Sequence, residues 1–197
     1  MINKTLNYIF SSRSNVSILR ALLKYTTGIT GREISRLTGY SPKSCHETLS
    51  LLEKPNIIKR IRGGRDHLFS LNREHHLFKN ILSPALEIEN NYLNTIKDDL
   101  KKNLKNYCYS VYIFGSVARE EDTPESDFDI CLVYENSNQK RLLENEILKL
   151  KKYFYDKYGI NISPLYFSLK EFKRRQHSKN SPVPDILKEG IKIFTKN

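Results

Sequence analysis

The chain has 197 residues, enough for one large domain or two small ones, and its 39% hydrophobic and 28% charged residues describe a folded chain rather than a disordered one. No run of 18 apolar residues occurs and no apolar segment follows Met1, so neither a membrane span nor a secretory leader is expected and a cytoplasmic location is. The formal charge of +11 is uneven: residues 1–75 hold 13 Lys/Arg against 5 Asp/Glu, and residues 76–197 hold 20 against 17, which points the first part towards a polyanion.

Taken in order, residues 1–75 predict three short helices and a hairpin. Val16, Ile18, Ala21, Leu22 and Leu23 form a helical stripe, and Gly28 and Gly31 punctuate the chain after it. Thr30 is placed to cap a helix bearing Ile34 and Leu37, and Gly39-Tyr40 to turn the chain. Ser41-Pro42 is a helix start, a hydroxyl N-cap with proline in the first turn, and the helix from Pro42 to about Glu53 turns Leu49 and Leu52 inward. Two strand-like runs, 57–62 and 65–71, flank Gly63-Gly64, a two-residue hairpin signal.

Residues 76–107 predict a long linking helix. Leu93, Ile96, Leu100, Leu104 and Tyr107 recur at threes and fours, a stripe that suits a connector, packing on the following domain, or pairing with a second copy. In 108–197 come a strand at Val111–Phe114, a Gly115-Ser116 turn and an acidic strand from Asp127 to Tyr134. A helix with Leu143, Ile147, Leu150 and Phe154 comes next, then a strand around Ile160–Phe167, a short helix and the apolar run Ile191–Phe194. Strands alternating with helices predict a small mixed sheet covered by helices, so the chain is expected to be α+β. Cys45, Cys108 and Cys131 are odd in number and lack ligand spacing, which suits buried thiols in a reducing compartment. His67, His75 and His76 have no Cys or carboxylate at ligand spacing and are expected on the surface.

The stretch from Gly31 to Glu53 resembles the helix-turn-helix of winged-helix transcription regulators. That resemblance implies double-stranded DNA as partner, with Lys43, Ser44, His46 and Glu47 near base edges and Lys43 also near phosphate. A turn at Gly63-Gly64 would set Arg62 against Arg65 and Arg60 against His67, like charges that an external phosphate backbone would relieve. A one-residue shift in register would remove that pairing. A homodimer on a palindromic site, joined through residues 85–107, is the further expectation.

The second constellation is chemical. A strand that ends in Gly115-Ser116 presents backbone N–H groups and a hydroxyl to an anion, and glycine permits close approach. Asp127 and Asp129 stand at i and i+2 on a strand, so both carboxylates leave one face while Phe128, Ile130 and Leu132 enter a core. Two adjacent carboxylates repel unless a cation lies between them, and hard oxygen donors favour Mg²⁺ or Mn²⁺.

An apolar strand, Gly-Ser, ten residues and then Asp-x-Asp resembles the DNA polymerase β-type nucleotidyltransferases, and is most like their minimal, antitoxin-type members. The resemblance covers roughly residues 108–167 and implies a nucleoside triphosphate ligand. Gly115, Ser116 and Arg119 would meet its phosphates, and Asp127 and Asp129 would be the catalytic metal ligands. Glu120 stands where many relatives have glycine. Where the family supplies a third carboxylate, this chain offers Asn161, an amide that coordinates weakly and cannot act as a base.

Three functions remain open at this point. The first is a DNA-binding regulator whose second domain binds Mg²⁺–nucleoside triphosphate and transfers a nucleotidyl group. The second is an antitoxin-like nucleotidyltransferase that modifies a partner protein or RNA within a toxin–antitoxin pair. The third is a catalytically inactive repressor. The proposed organisation is 1–75 winged helix, 76–107 linking helix and 108–197 nucleotidyltransferase-like domain.

Overall fold

The computed structural model describes residues 3–64 and 66–196. Contacts divide the chain into two compact units, Met1–Asn91 and Tyr92–Asn197. Secondary structure is mixed helix and strand. Among the described residues, no helix is long and apolar enough to cross a membrane.

In the first unit, α1 (Thr5–Ile9), α2 (Arg13–Leu23), α3 (Gly31–Thr38) and α4 (Pro42–Glu53) enclose a core with a small sheet. The two predicted caps form. The Thr30 hydroxyl accepts from the Glu33 N–H at 3.2 Å, and the Ser41 hydroxyl accepts from the Ser44 N–H at 3.2 Å. Leu49 and Leu52 are buried as the periodicity requires, whereas Leu37 is 42% exposed and stays outside the core. The sheet has the order β1 (Ile29–Thr30), β3 (Asp66–Leu71), β2 (Ile58–Gly63), antiparallel throughout.

The hairpin departs from expectation by one residue. Gly63 pairs with Asp66, so the turn begins at Gly64, which takes a left-handed φ of 68°. Gly63 belongs to the strand, where a Cβ would sit 2.8 Å from the Leu68 side chain. In this register Arg62 faces His67 and Arg60 faces Phe69, so the expected Arg62–Arg65 and Arg60–His67 oppositions are not formed. Arg65 itself lies outside the described residues.

A π-helical turn at Phe78–Leu82 leads into α5 (Ser83–Leu104), and the boundary between units falls inside this helix. Its stripe packs on the following sheet: Ile96 is 3% exposed, and Leu100 and Leu104 are fully buried in the chain's own core. Those side chains are spent within the chain, while Ile88 and Tyr92 of the same helix stay exposed.

The second unit is a four-stranded sheet of order β6 (Ile162–Ser168), β5 (Phe128–Tyr134), β4 (Ser110–Ile113), β7 (Ile191–Thr195). β5 and β6 run parallel and the other pairs antiparallel, so the sheet is mixed as predicted. A one-turn helix α6 (Gly115–Ala118) succeeds β4, and the long helix α7 (Ser137–Tyr158) joins β5 to β6. The terminal apolar run forms edge strand β7, preceded by α8 (Leu169–Arg175) and α9 (Val183–Glu189).

The period-2 alternation of β5 divides two cores. Phe128, Ile130 and Leu132 join α5 and α7 on one face. Cys131 and Val133 join Tyr112, Phe167 and Phe172 on the other, where α8 and α9 also contribute. The α5–α7 side is fastened by a polar cluster around Asp99. Its Oδ2 accepts from Lys157 Nζ at 2.7 Å, Tyr153 Oη at 2.9 Å and Tyr158 Oη at 2.5 Å.

Candidate functional site

The site is built where β4 ends and β5 begins. The Phe114 N–H donates to the Asp129 carbonyl at 3.0 Å, which ties the turn after β4 to the first residues of β5. Gly115 then takes a left-handed φ of 74°. A Cβ at this position would lie 3.3 Å from Asp129 Cγ and would collide with its Oδ2. Glycine therefore serves twice: it permits the backbone turn, and it leaves room for the Asp129 carboxylate against the loop.

Asp129 is half-buried and Asp127 is exposed one residue ahead of β5, while Phe128 between them is 3% exposed and turned into the opposite core. Gly115, Ser116 and Asp129 are thus gathered at one end of the sheet, with Asp127 next to them in the chain. The Asp129 carboxylate thus offers hard oxygen donors beside a turn with no side chain in the way. Among the described residues, no group of three or more His, Cys, Asp or Glu is arranged to hold a metal, so the pair has no third carboxylate.

The parallel register shows what stands in the neighbouring positions. Phe128 pairs with Ile162 and Asp129 with Ser163, and the Phe128 N–H donates to the Asn161 carbonyl at 2.8 Å. Asn161 is therefore the neighbour of Asp127, and Ser163 the neighbour of Asp129. Ser163 was not singled out from the sequence, because its place depends on a pairing between strands far apart in the chain. Cys131, two residues along the same face, is fully buried, and burial pushes its thiol up to about 12.

Arg119 is exposed and bound to a local carboxylate: its Nε lies 2.7 Å from Glu121 Oε2. The hydrogen bond it donates to Glu121 is the main cause that raises the guanidinium pKa above its ordinary value. The chain then turns through Glu120 with a left-handed φ of 57°, a conformation natural to glycine. The next loop closes on itself: the Thr123 N–H donates to Ser126 Oγ, and the Ser126 N–H to the Thr123 carbonyl, both at 3.0 Å.

In the first unit, Lys43, His46 and Glu47 are exposed and Ser44 half-buried on the first turns of α4, with Cys45, Thr48 and Leu49 facing the core. Arg60, Arg62 and His67 are exposed on the hairpin. Arg60 Nε lies 3.1 Å from Glu53 Oε1, so it is already paired within the unit.

Known proteins share parts of this chain. The nucleotidyltransferase domain model matches residues 93–193. A Methanocaldococcus jannaschii protein that carries the name of a putative protein adenylyltransferase is 31% identical over 106 residues, covering 53% of this chain and 70% of that protein. The solved structure of TrmBL2, an archaeal chromatin protein described with a novel mode of DNA binding, covers 94% of this chain and 73% of its own, at 16% identity and a TM-score of 0.30. A superposition at that score carries no weight for fold or function.

Proposed function

The chain belongs to the nucleotidyltransferase domain family, and we propose that it moves a nucleotidyl group from a nucleoside triphosphate to an acceptor, while residues 1–75, as a winged helix, bind duplex DNA. The observation that carries the first half is the seat of the Asp129 carboxylate against Gly115, which supports reading the turn and this aspartate as parts of one site. Mg²⁺ (or Mn²⁺) held by Asp127 and Asp129, with Asn161 as a weaker neighbour, would supply the charge that stabilises the α-phosphate and the pyrophosphate leaving group. Gly115 admits the triphosphate to the backbone, the Ser116 hydroxyl offers a donor, and Arg119 exchanges Glu121 for a phosphate oxygen. The name carried by the archaeal relative supports an adenylyl group and a protein acceptor.

A second reading rests on Asn161 and Ser163 where the neighbouring strand offers no acid. In that reading the domain binds Mg²⁺–nucleotide without turnover, and the bound nucleotide regulates the DNA-binding unit. Exposed Lys43, His46, Arg62 and His67 support the DNA half, together with the excess of basic residues in 1–75.

One experiment separates these readings. The full chain is incubated with each α-labelled nucleoside triphosphate, Mg²⁺ and candidate acceptors, beside an Asp127→Ala/Asp129→Ala double variant. Label transfer lost in the variant supports the transferase, and transfer that survives it overturns the site. Mg²⁺-dependent nucleotide binding without transfer favours the regulator. For DNA, Arg60→Ala, Arg62→Ala and Arg65→Ala together should weaken duplex binding and reduce its log–log salt slope by about 0.9 per lost phosphate contact. An unchanged slope removes the hairpin from the interface.

A further inference from the structure

The first unit holds an open cavity of about 700 Å³ that none of the residues proposed to meet DNA lines. Three segments far apart in sequence close around it: Lys4 just before α1, Lys54 to Asn56 between α4 and β2, and His75 beyond β3. Lys43 and Lys54 stand at opposite ends of α4, roughly 16 Å apart at about 1.5 Å per helical residue. The cavity is therefore a separate place from the turn of α4 assigned to DNA.

Its charge is one-sided. Lys4 and Lys54 bring two ammonium groups, and no Asp or Glu lines the cavity. The carboxylates nearest in sequence are engaged elsewhere: Glu53 pairs with Arg60 at 3.1 Å, and Glu74 with Lys79 at 2.6 Å. His75 adds a donor, because its Nδ1 accepts the Leu77 N–H at 3.2 Å and leaves Nε2 to carry the ring proton. Leu6, Pro55 and Leu77 supply an apolar wall. Like charges brought together from distant segments repel, and an anion between them removes that cost.

The backbone is unusual at the same place. Of the three non-glycine residues with a left-handed φ among the described residues, two line this cavity, Lys4 at 60° and Asn56 at 58°. Asparagine tolerates that region, but lysine adopts it at a cost, and such residues gather where ligands are clamped. Two walls are also fixed to each other. Buried Asn72 donates from Nδ2 to the Asn56 carbonyl at 2.9 Å, and its own carbonyl accepts the His75 N–H at 3.0 Å.

We propose that this cavity binds a small phosphate monoester that carries an apolar group. The dianionic phosphate lies between Lys4, Lys54 and the His75 ring, and the apolar group rests on Leu6 and Leu77. A phosphodiester backbone is the poorer match, since each of its phosphates has one charge and no apolar substituent. A ligand there touches the segments that lead into β2 and out of β3, so it acts on the hairpin from its base. The binding requires neither the transferase reading nor DNA.

The test titrates the full chain with phenyl phosphate by calorimetry at about pH 8, where the probe is a dianion. EDTA is present, so that no divalent cation assists binding elsewhere. Lys4→Gln/Lys54→Gln is compared with Lys101→Gln/Lys105→Gln, which removes the same charge from exposed lysines outside the cavity. One molecule should bind per chain. The cavity variant should weaken binding about tenfold, the combined effect of two exposed ion pairs, and the control should stay within about twofold. His75→Phe, which deletes the donor, should weaken it about threefold. Equal losses in the two lysine variants, or many molecules bound per chain, would reveal general attraction to a protein of net +11 and overturn the site. Inorganic phosphate bound as tightly as phenyl phosphate overturns the apolar seat. Displacement of phenyl phosphate by a duplex without terminal phosphates gives the cavity to the DNA backbone and overturns the small ligand.

Discussion

Two glycine-marked turns in this molecule met opposite fates. The Gly63-Gly64 signal was one residue out, so every cross-strand partner on the hairpin changed; the Gly115-Ser116 signal landed with Asp129 beside it. The difference is burial. β2 has one buried residue, Ile58, followed by five exposed ones, so nothing below it rejects a slipped register. β4 is buried at all four positions, and β5 buries Phe128, Ile130, Leu132 and Val133, so a slip there would drive aspartate into a core. Turn chemistry alone proposes a register; a buried face enforces it.

That contrast can be broken at several points. Ile130→Ala, on a fully buried side chain of β5, should cost about 2–5 kcal/mol and melt the second unit first in a thermal scan. A loss below about 1 kcal/mol would mean that β5 is not the rigid element its burial implies.

Asp99→Asn comes next. Burial pushes this carboxyl up, but the hydrogen bonds from Lys157, Tyr158 and Tyr153 outweigh it and hold its pKa below the ordinary value. Its stabilising contribution is therefore complete above the ordinary carboxylate range and is lost as pH falls through the depressed value. The substitution should cost about 1–3 kcal/mol at neutral pH and flatten the acid limb of the stability curve. An unchanged acid limb would show that the cluster is not ionic.

Gly115→Ala should cost about 1–2 kcal/mol from the left-handed backbone alone. It should also weaken Mg²⁺-dependent nucleotide binding, because the new methyl displaces the Asp129 carboxylate. Full affinity in a folded Gly115→Ala protein would separate turn from aspartate. Glu120→Gly should raise stability by at most about 1 kcal/mol, since glycine accepts φ near 57° without strain. Ile61→Ala, 54% exposed on the hairpin, should stay within about 0.5 kcal/mol in denaturant titration. A larger loss there would mean that the hairpin rests on a further surface.

The same contrast separates the features that could be read in advance from those that could not. Thr30 and Ser41 were readable as caps because a hydroxyl three residues ahead of a free N–H acts over one turn and needs no tertiary partner. Phe128, Ile130 and Leu132 against Asp129 were readable because strand periodicity is local. Asp127, Asp129 and Gly115-Ser116 were readable because a two-carboxylate pair and a phosphate turn are short patterns with a chemical purpose. None of these needed knowledge of which strand lies beside which.

The rest came from packing across the fold. Packing set Ser163 beside Asp129 and Asn161 beside Asp127, since parallel pairing across α7 fixes neighbours at a separation that no local pattern encodes. It turned the apolar tail into edge strand β7 against β4. It spent Ile96, Leu100 and Leu104 of the α5 stripe on the chain's own sheet, because burying that apolar surface takes it out of water. It also brought Lys4, Lys54 and His75 around one cavity, since a cavity is the space left between segments that are far apart in the chain. Residue order was enough to nominate the atoms for the proposed chemistry. Their neighbours were settled only in three dimensions, because proximity between distant segments arises from the burial of whole faces.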